Sequence, residues 1–518
     1  MTSELPDLSA FLNPHLCANT EQKVDVVIMP RTKDAALACS GCIIVQISDW
    51  KRHKATCRSP FLKDTWQPAW FTQGRVPSFI GDGTHCAMFG ATKYLWGNMP
   101  ALDILQIKQN EGTADAVTRN FNLLFAASGD LRNVIKTISG LPAGYKGDCV
   151  AVINDKGFVI AARNAITLLL ALHLDPETAD VCGKIDAKPS DSFQAKTFDF
   201  HGRKLRLVLQ KEQWIQLPKF CQRSQNMTTD EAQMVRRRIM LAPERIDFRH
   251  RGLLHLPKSV RQGETHFRYT GVFLPYGCST HAFNVANPTL FSSKGWALND
   301  SSNPRGSWLH AEYMADAPAA KGDEFGAIFF HVRKLLIKFC KRIRDSNVSF
   351  HLFSMDARKL SAYVGAMKFD RIEISNICDS EFIGLQASLE AFSGLLKPKS
   401  QNATATLLML FINAATHMNR ALNPEGGKNE NKYHPRLVFR STIYGMFINW
   451  DKYFDIYLDS KRVCTLAASH GLQAKLKHTI VQPWPMRIRV GATKQEFDVA
   501  CANMATGYER YMEFENLD

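Results

Sequence analysis

The chain has 518 residues, of which 45% are hydrophobic, and it carries a formal net charge of +15. This length and apolar content exclude a disordered chain and allow a large core with two or three domains. The 13 cysteines are scattered rather than spaced as a disulfide framework. That usage favours a reducing compartment, either the cytoplasm or the nucleus.

A membrane-spanning segment is not expected. The longest apolar runs, such as AITLLLAL, are far shorter than the roughly 18–20 residues that cross a bilayer. The first residues, MTSELPDLSAFLNPHL, are acidic and polar and do not form a secretory signal. We therefore predict a protein with no membrane partner.

The first chemically informative stretch is ACSGCIIVQISDWKRHKATCRSPF, residues 38–61. Cys39 and Cys42 have the C-x2-C spacing in which a tight turn directs two sulfurs to one point. His53 and Cys57 are four residues apart, so a helix places them on one face. Together these residues provide the four N and S ligands of a tetrahedral zinc site. The sequence predicts one bound zinc ion; the alternative is two incidental cysteines and a surface histidine.

This stretch resembles the MYND zinc finger, whose second C-x2-C pair and final His and Cys share one zinc ion. The ending DWKRHKATC, with Trp50, carries the resemblance. The family's other zinc site is missing, because only two residues separate Gln46 from Asp49 and the opening pair is reduced to Cys17. True loss of these ligands and a gap in the gene model would leave the same sequence. The resemblance implies a small degenerate finger, residues 1–60, that binds proline-containing peptides.

Two strand–helix units follow within residues 115–173. FNLLFAAS is a continuous apolar run, typical of a strand buried on both faces, and LRNVIKTISGL has helical spacing. DCVAVIND and KGFVIAARNAITLLLALH repeat this pattern. The preceding stretch, YLWGNMPALDILQIKQNEG, predicts a turn and a short amphipathic helix. A βαβα order predicts a parallel sheet with helices on its faces.

The alternation is interrupted over residues 174–345, which mix strand-like pieces (KLRLVLQ, THFRYTGVFLPYG) with a helix at AIFFHVRKLLIKFCKRI. It resumes with VSFHLFSMDA, a strand ending in Asp356, and FDRIEISNICD, a strand ending in Asp379. LQASLEAFSGLLKP predicts a helix, and ATLLMLFINA a strand or a buried helix. We therefore predict an α/β fold: a Rossmann-like parallel sheet whose halves, 84–173 and 346–518, are separated by a large insertion.

The order of these elements resembles a class I methyltransferase. A glycine turn follows the first strand, an acid the second and MDA the third, and FDRI opens the fourth. The resemblance implies that Gly129 lines the methionine moiety of S-adenosylmethionine, Asp155 meets the ribose and Asp356 the adenine. Asp130 lies beside Gly129 before a helix N-terminus, where anionic ligands tend to bind. Leu131 stands where that family has a glycine, so we expect its side chain to crowd the cofactor.

A closer resemblance covers most of the chain. LLFAASGDLRNVIKTISGLP and NDKGFVIAARNAITLLLALH look like the N-terminal region of dynein axonemal assembly factor 3 proteins. They also resemble a group of fungal proteins that join this region to a MYND finger, which YLWGNMPALDIL, SMDARKL and FDRIEISNICD also fit. The resemblance implies a methyltransferase-like domain without established chemistry in a protein that acts through protein partners.

Two functions therefore remain: a zinc-binding adaptor with a scaffold that lacks methyltransferase activity, and an S-adenosylmethionine-dependent methyltransferase. We assign no catalytic residue and lean against an enzyme, because no Walker loop, G-x-S-x-G or H-E-x-x-H motif occurs. The basic stretch Met234–Arg261 lacks a nucleic-acid reader motif. It is better explained by a solvated face or an internal ion-pair network than by nucleic-acid binding.

Purified protein is expected to contain about one zinc ion per chain, because the four ligands close a tetrahedral structural site. Elemental analysis measures this ratio, and the double variant Cys42→Ser, His53→Ala should lose the metal. Because zinc binding and folding are linked, a chelator should loosen residues 38–61 while the sheet stays folded. Unchanged zinc content in the double variant would rule out this ligand set.

Overall fold

The structure is a computed structural model of the whole chain. It describes the backbone of residues 21–24 and 27–30 and, more fully, residues 59–80, 89–91, 95–172, 192–200, 202–222, 227–275, 285–292, 295–316, 323–423, 448–486, 491–503 and 507–517, with a few isolated positions. The proposed zinc ligands, Cys39, Cys42, His53 and Cys57, lie outside the described residues. In the described part of the chain, no helix is long and apolar enough to span a membrane.

The strands, in chain order, are β1 Glu21–Val24, β2 Val27–Pro30, β3 Phe121–Phe125, β4 Asp148–Asn154, β5 Phe193–Phe200, β6 Arg203–Gln210, β7 Phe291–Ser292, β8 Gly295–Trp296, β9 Asn347–Phe353, β10 Arg371–Glu373, β11 Thr406–Phe411, β12 Leu472–Ala474 and β13 Arg510–Asn516. The α-helices are α1 Ala69–Thr72, α2 Thr113–Ala116, α3 Arg132–Gly140, α4 Phe158–Leu172, α5 Lys211–Gln216, α6 Thr229–Met240, α7 Ile246–Leu253, α8 Lys258–Thr270, α9 His310–Asp316, α10 Glu324–Asp345, α11 Ser361–Val364, α12 Gly384–Phe392, α13 Ala414–Leu422, α14 Trp450–Ser460, α15 Val463–Ser469 and α16 Lys494–Ala502.

A nine-stranded, mostly parallel sheet organises the molecule, with the order β12-β13-β11-β10-β3-β4-β9-β6-β5. The six strands from β11 to β6 run parallel to one another. At the two ends, β13 pairs antiparallel with β11 and β12, and β5 pairs antiparallel with β6. The βαβα unit predicted from apolar runs is confirmed as β3, α3, β4 and α4.

Helices cover both faces of the sheet and form two large cores. On one face, α3, α4 and α10 pack on side chains such as Phe121 and Phe350. On the other, α12, α13, α14 and α15 pack on side chains such as Leu124 and Ile372. Burial on both faces explains why the central strands read as continuous apolar runs rather than as alternating patterns.

The long segment 174–345 contributes to the same sheet. β6 pairs in parallel with β9, and β5 follows it as a hairpin strand, so KLRLVLQ is a strand as predicted. The strand prediction for THFRYTGVFLPYG is wrong, because residues 265–270 belong to α8. Buried Val260, Glu264 and Phe267 have helical spacing there, and Gly271 ends the helix in the left-handed conformation.

Two further local predictions are wrong. Residues 101–110, expected to be a short amphipathic helix, form turns and irregular backbone instead. Strand β10 ends at Glu373, so Asp379 lies in the turns that follow and not at a strand end. In the first case, backbone groups find side-chain acceptors on α3. In the second, the Asp379 carboxylate itself accepts the amides of Ile412 and Asn413 after β11.

Charged residues occupy the centre of the sheet at the short strand β10. The carboxylate of Asp370, fully buried just before the strand, accepts the amide of Asn122 and contacts Lys397 and Asn402. Arg371, also fully buried, donates to Glu111 at 2.7 Å. Buried charges are tolerated only when they are paired and hydrogen-bonded.

The Arg371–Glu111 pair provides a test of this arrangement. Glu111→Leu should lower the free energy of unfolding by about 3–5 kcal/mol, because it leaves the buried guanidinium without a counter-charge. Adding Arg371→Met should recover most of that loss, since the buried charge is then gone. Urea denaturation measures both changes, and Asp115→Asn, at an exposed position nearby, is the control. A single-variant loss below about 1 kcal/mol would show that the pair contributes little.

Candidate functional site

The site predicted from the sequence lies at the carboxyl edge of the central strands. Gly129 and Asp130 follow β3, Asp155 follows β4, and Asp356 comes three residues after the end of β9. The structure brings Gly129 and Asp155 into direct contact, since the Gly129 amide donates to Asp155 Oδ2 at 3.1 Å. Asp130 and Asp356 make their contacts elsewhere along this edge.

The turn after β3 depends on Gly129. Its φ angle is +56°, in the left-handed region that glycine adopts without steric cost. A Cβ atom built on this residue would meet no other atom within 4 Å. The requirement for glycine is therefore conformational and not one of space. Glycine suits this tight strand-to-helix turn because the turn needs a positive φ.

Asp155 is held by backbone amides of its own chain. Oδ2 accepts from Gly129, as given above, and Oδ1 accepts from Gly157 at 2.7 Å. Burial raises the pKa of this carboxyl to about 6, while the two amide hydrogen bonds act in the opposite direction. The carboxylate closes the turn after β3 onto the start of α4.

The other two acids bind neighbouring groups. Asp356 accepts from the guanidinium of Arg358 at 2.6 Å, which, with smaller contributions, lowers the pKa of this carboxyl to about 2. Asp130 accepts the amide of Gly97 at 3.0 Å and forms an ion pair with Arg132. Asp130 therefore connects the turn to the segment that precedes β3, and not to Asp155.

Two asparagines that sequence reasoning did not assign to the site hold this edge together. Asn154, 1% exposed, donates to the carbonyls of Ala126 and Met355 and accepts the amide of Met355. Asn164 of α4 donates to the Gly129 carbonyl at 2.7 Å. For Asn154, the sequence shows a polar residue at the end of the apolar run DCVAVIN. That pattern does not indicate which backbone groups the side chain contacts.

Leu131 does not crowd the crevice above the strands, contrary to expectation. Its side chain is 4% exposed and packs in the core formed by α3, α4 and the sheet. The residue directly precedes α3, and its side chain belongs to the same apolar core as Val134 and Ile138 of that helix. Leu131 therefore gives no steric reason why a ligand could not lie above the strands.

Glu373, at the carboxyl end of β10, was also not predicted. It is 5% exposed; its Oε1 accepts the amide of Ser375 at 2.7 Å, while its Oε2 has no hydrogen-bond partner among the described residues. Burial raises the pKa of this carboxyl to about 7, with the Ser375 amide, nearby Arg132 and the side chain of Asn133 opposing the shift. Ser375 itself has a φ of +52°, which is strained for a residue other than glycine.

The irregular segment before β3 lies along α3. The amides of Leu102 and Ile104 donate to Asn133 Oδ1 and Thr137 Oγ1, at 2.9 and 3.1 Å. In the other direction, Lys136 donates to the carbonyl of Ala101. The hydrogen bonds to α3 satisfy backbone groups of this segment that a helix would otherwise satisfy. The segment therefore lies along α3 from Asn133 to Thr137 without forming a helix.

Comparison with known proteins adds one finding. A family model described as a domain of unknown function (DUF4470) matches residues 95–184. This range begins with the segment that lies along α3 and includes the Gly129 turn, Asp155 and α4. No curated protein and no solved structure matches the chain. Within the described residues, no cluster of three or more His, Cys, Asp or Glu could hold a metal ion.

Gly129→Ala should destabilise the protein by about 1–2 kcal/mol, the usual cost of a left-handed residue with a Cβ. Thermal melting without any ligand measures the effect. Gly129→Asn is the matched comparison, because asparagine tolerates this conformation better than alanine does. The midpoints should fall in the order wild type, Asn, Ala. An unchanged midpoint for the alanine variant would contradict a conformational role.

The raised pKa of Glu373 predicts that the stability of the protein depends on pH in a defined way. The folded pKa, about 7, lies above the ordinary value of 4.5. Between these values the folded state holds the proton more tightly, so this group's contribution to stability falls as pH rises from 4.5 to 7. Glu373→Gln cannot titrate. It should therefore gain stability relative to wild type with rising pH, by up to about 3 kcal/mol at pH 8.

Paired thermal melts of wild type and Glu373→Gln between pH 5 and 8 test this expectation. The control variant is Glu390→Gln, which makes the same substitution at an exposed position. A constant difference for Glu373→Gln across the same range would show that this carboxyl does not titrate there.

Proposed function

We propose that this protein is a zinc-binding adaptor. Cys39, Cys42, His53 and Cys57 would hold one zinc ion, and the finger they form would bind proline-containing segments of protein partners. The Rossmann-like, methyltransferase-like sheet would serve as a scaffold rather than a catalyst. The MYND-like spacing supports the first part of the proposal, and the hydrogen bonding of the Gly129 turn supports the second.

The observation that carries the scaffold proposal is the state of Asp155. Both of its carboxylate oxygens already accept amides of the same chain. In the methyltransferase-like interpretation, this carboxylate is the group that meets the ribose hydroxyls. Asp356, assigned to the adenine, is likewise bound to Arg358. A cofactor would have to compete with bonds that already stabilise the turn, which favours a structural role for these acids.

A methyltransferase remains the second candidate because of the strand order. When the inserted strands β5 and β6 are left out and the remaining central strands are numbered along the chain, β9-β4-β3-β10-β11 have the order 3-2-1-4-5. This is the order of doubly wound nucleotide-binding sheets. In such sheets, ligands bind at the carboxyl edge where the order reverses, here between β3 and β10. Gly129 and the strained Ser375 flank that point. This placement suits a crevice, although the acids beside it are occupied.

Calorimetry with S-adenosylmethionine distinguishes the two candidates. The adaptor proposal predicts no binding, or dissociation constants well above the micromolar range, for wild type and for Asp155→Ala alike. Micromolar binding that Asp155→Ala abolishes would favour the enzyme. Thermal melts of Gly129→Ala with and without the cofactor distinguish a structural turn from a binding site. We expect this variant to lose the same stability in both conditions, as a structural turn requires.

The adaptor function itself is tested by selecting peptides from a random library on the full-length protein. Enriched peptides should contain proline, and the Cys42→Ser, His53→Ala variant should fail to bind them while its sheet melts normally. Peptides bound equally well by this variant would show that the finger is not the binding module.

A further inference from the structure

A cavity of about 280 Å³ lies outside the region that the family model matches. It is bordered by α7, α8 and the turn that contains Asn303 and Arg305, so it is separate from the Gly129 turn. Much of its wall is apolar, formed by Phe61, Leu241, Ile246, Phe248, Leu253 and Leu256. A pocket of this size and lining suits the hydrocarbon part of a small molecule.

Charged side chains also border the cavity, and bases outnumber acids among them. Arg249, Arg268 and Arg305 border the cavity, whereas Glu264 is its one acidic lining residue among those described. Arg268 is paired with Glu264 at 2.8 Å, and Arg305 with Glu324 at 2.6 Å. These two arginines therefore have carboxylate partners within the protein.

Arg249 differs from the other two arginines. Its guanidinium donates to the carbonyl of Ala242 at 2.7 Å, and among the described residues no carboxylate lies within ion-pair distance of it. Two carboxylates, Asp300 and Asp247, act to raise the pKa of Arg249. Each forms its ion pair with another arginine, Asp300 with Arg245 and Asp247 with Arg75. Burial, with a contribution from Arg268, lowers the pKa of Arg249 to about 10. A guanidinium has five N–H donors, so most of its capacity is unused here.

His250 adds an uncharged donor beside Arg249. Its Nδ1 accepts the amide of Ala69 at 2.9 Å, which leaves the proton on Nε2. Burial, with neighbouring Arg249 contributing, lowers the pKa of His250 to about 4, so the ring is neutral at pH 7. The cavity wall thus has one cation without a counter-ion, a neutral N–H donor and apolar surface around them.

We propose that this cavity binds a small monocarboxylate with a hydrocarbon body. The carboxylate would occupy the free donors of Arg249, since a guanidinium matches carboxylate geometry and this partly buried cation lacks a counter-ion among the described residues. The hydrocarbon would lie against Phe248 and the leucines. A single negative charge suits the site better than a phosphate dianion, because Glu264 is close by and would repel the additional charge.

Octanoate is a suitable probe, and titration calorimetry on the full-length protein measures its binding. Octanamide has the same shape without the charge, and acetate has the charge without the hydrocarbon. Octanoate should bind at least about tenfold more tightly than either, since hydrogen bonds to a charged group contribute that much or more. Arg249→Met should weaken octanoate by a similar factor. Arg251→Met, on the exposed side of the same helix, should not.

Thermal melts without ligand keep the test interpretable. Arg249→Met removes a partly buried cation that has no carboxylate partner, so the unliganded variant should melt at or above the wild-type temperature. A markedly lower midpoint would indicate that Arg249 is there for structure, and would overturn the proposal. Absence of octanoate binding, equal binding of octanamide, or unchanged binding by Arg249→Met would also overturn it.

Discussion

The burial of ionisable side chains on β10 is the constraint on which the centre of the sheet depends. This strand has parallel neighbours on both sides, and both faces of the sheet are covered. The side chains of Arg371 and Glu373 on the strand, and of Asp370 just before it, are therefore nearly or fully buried although they are ionisable. Removing such groups from water is costly unless partners compensate. The fold must therefore bring partners to them from distant parts of the chain.

Those partners come from three directions. The segment before β3 supplies Glu111 and the carbonyl of Leu105 to Arg371. The approach to β11 supplies Lys397 and Asn402 to Asp370. The amide of Ser375, just beyond β10, supplies one hydrogen bond to Glu373, whose second oxygen lacks one. The hydrogen bonds and ion pairs that these buried side chains require thus fix where the irregular segments before β3 and β11 run. It also leaves one carboxyl incompletely satisfied at the carboxyl edge, close to the point where the strand order reverses.

The same principle explains the helical region between β6 and β9. The sequence of the basic stretch Met234–Arg261 favours a solvated face or an internal ion-pair network over nucleic-acid binding. In the structure, several of its arginines are turned inward: Arg236 donates to the carbonyls of Arg268 and Tyr269, and Arg245 is paired with Asp300. Acceptors within the protein therefore hold both of these side chains, and one of the two has a carboxylate partner. Arg249, which is partly buried, also has no carboxylate partner among the described residues, and it differs from Arg236 and Arg245 in bordering a cavity.

The sequence by itself determined the elements whose signals are local. Apolar runs and helical spacing gave β3, α3, β4, α4, α10 and α12, and Gly129 marked the turn after β3. Tertiary structure decided what depends on distant partners. β6 joins the sheet beside β9, more than a hundred residues later, and residues 101–110 stay irregular because α3 supplies hydrogen-bond acceptors for them. The position of Asp155 at a strand end could be predicted, but the hydrogen bonds that it accepts from the amides of Gly129 and Gly157 could not. Hydrogen-bond partners across a fold leave no periodic pattern in the chain, because they are set by which segments the sheet brings together.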